Sequence, residues 1–225
     1  MATHLDLEEQ EQLEQVKHFW KQYGNLVTWT LILVLGSFAA WQGWNWWQRD
    51  QAIKASALYD QLDLAARAGD ADKVQRAFDD IRERHPRTVY AQQAGLLAAK
   101  VLQQKNKADA AAVALRWVAD NADDEYRAIA RLRLAALLLE QKKYDEAMKS
   151  LDGGLPKEFD GLAADRRGDI LFAQGKPAEA QAEYEKAYKA LAPTLDYRRL
   201  VEAKLTRLGA APAPETAASA AAAAQ

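Results

Sequence analysis

No charged residue occurs between Lys21 and Arg49. The middle of that run reads Leu26 and Val27, then Leu31, Ile32, Leu33, Val34 and Leu35. A bilayer's hydrocarbon core is about 30 Å thick, and a helix rising about 1.5 Å per residue crosses it with roughly 20 apolar residues. The stretch from Tyr23 to Trp47 exceeds that length and leaves some for tilt. A helix satisfies its own backbone hydrogen bonds, so it can cross lipid alone. Trp20 and Trp29 lie toward one end of the run, and Trp41, Trp44, Trp46 and Trp47 toward the other; Trp117 alone lies elsewhere. Indole rings favour the headgroup level, where the ring is buried and the N–H stays wet. Trp20, Trp41, Trp44 and Trp47 are therefore the expected interface residues. A cleaved leader fits poorly, because the start is acidic (Asp6, Glu8, Glu9, Glu11, Glu14) and the apolar run is too long.

Ahead of the span, Leu13, Val16, Trp20 and Tyr23 recur at helical spacing with an acidic face opposite. This reads either as an amphipathic lead-in that lies on the membrane and turns into it, or as a solvated tail. Within the span, Gly36, Ala40 and Gly43 form a small-residue seam along which another membrane helix can approach closely. The flanking bases do not set an orientation: Lys17 and Lys21 on one side balance Arg49 and Lys54 on the other.

The expected organisation is thus residues 1–21 as an acidic tail, 22–48 as the transmembrane helix, 49–208 as the folded domain and 209–225 as a disordered Ala/Pro tail. Residues 49–208 carry 28 basic and 26 acidic side chains, too even a balance to suggest a nucleic-acid surface. The chain contains no cysteine, which excludes disulfides, thiol nucleophiles and thiolate metal sites. From Ala52 onward the sequence is rich in Ala, Leu and charged residues, with no strand-like alternation, so the fold class is all-α.

That helical region repeats. The segment from Leu134 to Ala147 aligns with Arg167 to Ala180, and the same frame takes in Ala98 to Ala111 and a fainter copy around Leu62. Small or apolar anchors fall at Leu62, Ala99, Ala135 and Gly168, a spacing close to the tetratricopeptide period of about 34 residues. Turn positions follow at Gly69, Asn106, Lys142 and Gly175. Small residues early in each second helix follow at Val74, Ala111, Ala147 and Ala180, with bulky ones a turn later at Phe78, Leu115, Leu151 and Tyr184. Thr194 to Leu208 reads as a final helix, offering Leu195, Leu200, Val201 and Leu205 to cap the stack.

No phosphate loop, nucleophile elbow or paired-histidine motif is present in the sequence, so no enzyme, cofactor or metal is expected. His85 reads as a solvated turn residue. What remains is surface. In tetratricopeptide stacks the first helices line a concave groove, and the frame assigns to it Tyr59 and Asp63, then Leu96, Lys100 and Gln103. It continues with Ile129, Leu132, Ala136 and Leu139 in unit three, and Leu162, Asp165, Asp169 and Phe172 in unit four. The apolar residues of unit three have two readings: an exposed patch for a polypeptide, or side chains covered by the final helix or a neighbouring unit.

The acidic start with Glu14-Gln-Val-Lys-His-Phe-Trp20, the Trp-rich span and the degenerate repeats form a distinctive order. Together with Leu132-Arg-Leu-Ala135, Tyr144-Asp-Glu-Ala-Met-Lys-Ser-Leu-Asp152 and Arg167-Gly-Asp-Ile-Leu171, they resemble the YfgM family, the ancillary subunit of the bacterial SecYEG translocon. The resemblance runs from about Glu14 to Leu208. It implies a single-pass inner-membrane protein with a cytoplasmic amino terminus and a periplasmic repeat domain. It also implies association with the SecYEG translocon, a PpiD-like periplasmic chaperone and unfolded or nascent exported polypeptides, and it carries no catalytic residue. The alternative is a cell-envelope scaffold that bridges folded complexes without chaperone action.

Overall fold

The computed structural model describes residues 7–212. Every regular element in that range is helical. They are α1 (Leu7–Arg67), α2 (Ala71–Arg84), α3 (Val89–Gln104), α4 (Ala108–Asn121), α5 (Asp124–Glu140), α6 (Tyr144–Ser150), α7 (Asp160–Ala173), α8 (Pro177–Ala190) and α9 (Asp196–Arg207), with one 3₁₀ turn at Lys157–Phe159 before α7. Most of the expected Ala/Pro tail lies outside the described residues, as does the start of the acidic tail. The chain divides into two units, Met1–Gln51 and Ala52–Gln225, and α1 contributes residues to both.

In the first unit the turn that one of the two readings placed between lead-in and span is absent. α1 runs through Gln22 without a break: no proline stands there, and Gly24 does not take the left-handed conformation that would end the helix. Apolar side chains face outward along its length: Leu26, Trp29, Leu33 and Trp46 are each about two-thirds exposed. A helix that is apolar all round and unburied by protein suits lipid rather than water. Its two threonine hydroxyls are satisfied internally, as hydrocarbon requires. Thr28 Oγ1 donates to the Gly24 carbonyl at 2.8 Å, and Thr30 Oγ1 to that of Leu26 at 2.9 Å.

The second unit is a stack of antiparallel helix pairs. α3 pairs with α4, α5 with α6 and α7 with α8, and Leu62 and Ala65 at the end of α1 share a core with Val74 and Phe78 of α2. Each hairpin turns on a left-handed residue: Gly69 (φ 67°), Asn106 (φ 59°), Lys142 (φ 60°) and Gly175 (φ 77°). These are the four turn positions read from the repeat. Each closes its helix with the same pair of bonds, for example Lys143 N–H to the Leu138 carbonyl (2.9 Å) and Lys142 N–H to that of Leu139 (2.9 Å). That is the Schellman arrangement, which satisfies carbonyls the helix end leaves open. Side-chain caps are used at Asp70, which accepts from Lys73 N–H at 3.0 Å, and at Thr88, which accepts from Ala91 N–H at 3.3 Å.

The repeat's small positions lie in the packed interior, with Leu62, Ala111, Ala135, Ala147 and Ala180 fully buried and Ala99 nearly so. Gly168 faces the Tyr184 ring, which lies 2.5 Å from where a Cβ would stand. Two apolar cores result. One runs from Leu62 through α2–α6 to Ile170, and the other joins α7, α8 and α9 around Tyr184, Val201 and Leu205. The final helix is shorter than expected and uses half its apolar residues: Val201 and Leu205 are buried, whereas Leu195 and Leu200 are about half exposed.

Candidate functional site

The first helices of successive units, which are the end of α1, then α3 and α5, share one open cleft of about 290 Å³. Tyr59 enters it from α1, Leu96, Leu97 and Lys100 from α3, and Tyr126 and Arg133 from α5. Tyr59 lies 5.8 Å from the Tyr90 ring. Burial, and after it the Asp63 carboxylate, pushes the Tyr59 phenol up from its ordinary value, so it remains a neutral hydrogen-bonding group. Gln93 at the cleft edge donates to Tyr126 Oη at 3.0 Å, tying α3 to α5 and fixing the second ring.

Of the expected groove residues, Tyr59, Leu96 and Lys100 meet in this cleft. Gln103 lies beyond it and donates to Glu140 at 2.9 Å. Ile129, Leu132 and Leu139 are half-buried and lean on the larger core, so unit three's apolar residues mostly serve packing. The cleft-facing residues of α5 are instead Tyr126 and Arg133, seven apart and hence on one face. The repeat frame misses them because each residue turns about 100° around the helix axis, so an offset of one or two positions selects a different face. Tyr126 was nonetheless visible as an aromatic one turn ahead of Ile129.

Unit four departs further from expectation. Asp165 is fully buried and is not part of an open groove. Lys204 of α9 holds it at 2.7 and 2.9 Å and reaches Asp169 at 2.7 Å. Tyr197 Oη donates to Asp165 at 2.6 Å, and Tyr184 Oη to Asp169 at 2.9 Å. Burial, and with it these carboxylates, pushes both phenols well up from the ordinary tyrosine value. Phe172 is partly covered by Arg207, whose guanidinium carbon lies 4.9 Å from the ring centroid. The final helix therefore occupies the face assigned to a ligand, and Asp165 and Asp169 are its anchor. A buried carboxylate is tolerable only when paired and hydrogen-bonded, which accounts for the cation and the two phenols.

In the first unit Trp20, Trp41, Trp44 and Trp47 are exposed, with the Trp44 and Trp47 rings 5.2 Å apart and tilted by 36°. Gly36, Ala40 and Gly43 are exposed as well, and a Cβ added at either glycine would meet nothing within 4 Å.

These features define a class: a tetratricopeptide-like helical-repeat protein whose first helix carries a segment long and apolar enough to cross a membrane. The sequence profile of the tetratricopeptide repeat-like domain matches residues 17–210. A protein of Neisseria gonorrhoeae named ancillary SecYEG translocon subunit is 30% identical over 213 residues, covering 92% of this chain and 100% of the relative. Proteins of the same name from Escherichia coli and Haemophilus influenzae are 31% and 29% identical, each over 80% of this chain and 87% and 89% of their own length. The chain belongs to the tetratricopeptide repeat-like family of ancillary SecYEG translocon subunits.

Proposed function

We propose that this protein is a single-pass inner-membrane binding module at the Sec translocon, where its repeat domain receives segments of exported polypeptides. Residues 1–21 lie in the cytoplasm, 22–48 cross the membrane and 49–208 stand in the periplasm, beside a PpiD-like chaperone that takes over the client. The observation that carries the reading is the open, aromatic-lined cleft across three units of a domain whose relatives are named as translocon subunits. A repeat domain that buries its own apolar faces by stacking leaves such a cleft for a partner. Nothing in this role calls for catalysis, and a helical repeat in a family named for an ancillary subunit is the architecture of a binder.

The exposed seam at Gly36, Ala40 and Gly43 supports a membrane partner that packs closely on α1. One experiment tests both halves. Photoreactive residues at Leu97 and Tyr126 are expected to capture exported polypeptides in cells, and one at Ala40 a translocon subunit. Absence of client adducts from both cleft positions, with the protein still in the membrane fraction, defeats the client reading.

A further inference from the structure

The cleft described above is lined by two cations and no carboxylate. Lys100 and Arg133 are exposed and enter no ion pair or hydrogen bond among the described residues. Of the carboxylates near the cleft in sequence, Asp63 holds Arg67 at 2.7 Å and Glu140 accepts from Gln103, while Glu125 lies about 100° round α5 from Tyr126. Asp60, next to Tyr59, lies about 100° further round the helix. The second helices behave differently. There, cations bridge one repeat to the next, Lys107 to Asp72 and Arg116 to Glu146. The second-helix cations Lys107 and Arg116 are thus paired from one unit to the next, whereas Lys100 and Arg133 stand unpaired in the cleft beside two tyrosine rings and two leucines.

We propose that this cleft selects an extended polypeptide segment in which one aromatic side chain is flanked by carboxylates. A volume of about 290 Å³ suits a single anchoring side chain rather than a whole segment. The ring packs between Tyr59 and Tyr126 over Leu96 and Leu97. The flanking carboxylates meet Lys100 on α3 and Arg133 on α5, which sets the segment across the helices. This selectivity rests on the reading that the cleft takes polypeptide, and adds which polypeptide it takes.

The test uses full-length protein in detergent micelles and fluorescence anisotropy with three labelled peptides of glycine and serine. The first carries a central tryptophan with two glutamates on each side. The second replaces the glutamates with lysines, and the third replaces the tryptophan with serine. The first is expected to bind roughly tenfold more tightly than the second, as two exposed charge pairs allow, and the preference is expected to shrink as salt shortens the screening length. Lys100→Gln with Arg133→Gln removes the preference, and Lys100→Glu with Arg133→Glu reverses it. Both sites are exposed, so circular dichroism should show an unchanged fold. Equal binding of the first two peptides by the native protein overturns the inference, as does a preference that survives the glutamine pair. So does light scattering that shows a second copy of the chain occupying the cleft. Client adducts from Leu97 and Tyr126 without peptide selectivity leave the proposed function standing and defeat this inference. Selectivity without client adducts does the reverse.

Discussion

Lys142 holds a backbone conformation that a β-carbon disfavours, with φ at 60°. A non-glycine residue in the left-handed region costs about 1–2 kcal/mol, partly offset by the extra freedom glycine has when unfolded. Lys142→Gly should therefore raise stability by about 0.5–1 kcal/mol, read as a higher urea midpoint at unchanged slope. Asn106 occupies the equivalent turn but tolerates it better, because its short side chain suits that region. Lys204 presents the opposite case, a side chain whose removal exposes a hidden charge. Lys204→Met leaves Asp165 buried with only Tyr197 as partner, and should destabilise its surroundings by about 3 kcal/mol. Thermal unfolding followed by circular dichroism checks this.

At the scale of elements, α9 is fastened to α7 by the Tyr197 phenol and by that cation, while the Tyr184 phenol ties α8 to α7. The phenols of Tyr184 and Tyr197 are raised by burial and by neighbouring carboxylates. A raised pKa means the folded chain keeps a proton that the unfolded chain releases. The associated stability is complete below the unfolded tyrosine value of about 10 and declines as pH climbs above it. Tyr184→Phe with Tyr197→Phe should flatten the alkaline arm of a stability–pH curve while lowering the plateau. An alkaline arm as steep as the native one would refute the assignment. The repeat made the helix pairs legible, since turn positions and buried small residues answer to local φ and to close packing. It showed a final helix available to cap the last unit but not that this helix takes up Asp165 and Asp169, because nothing local distinguishes a groove carboxylate from one held by a lysine about forty residues later.

The described residues form two apolar cores, and both lie within Ala52–Gln225. Stability in a stack of repeats is a sum of units and nearest-neighbour interfaces. A fragment starting at Ala52 is expected to be soluble and to melt as the full chain does in detergent; a fragment that aggregates or melts well below it contradicts this. Its hydrogen exchange should show the α7–α9 core opening independently when Lys204 is changed, with α2–α4 unaffected.

Sequence alone was enough for whatever depends on neighbours along the chain. An uncharged run of membrane length, a period near 34 residues and turns that need a left-handed residue are all written in local order. Which face of α5 meets the cleft, and that the final helix claims Asp165 and Asp169, were decided by packing. Those outcomes depend on how far each helix is rotated against its neighbour, and that angle is set by side chains meeting across distant parts of the chain.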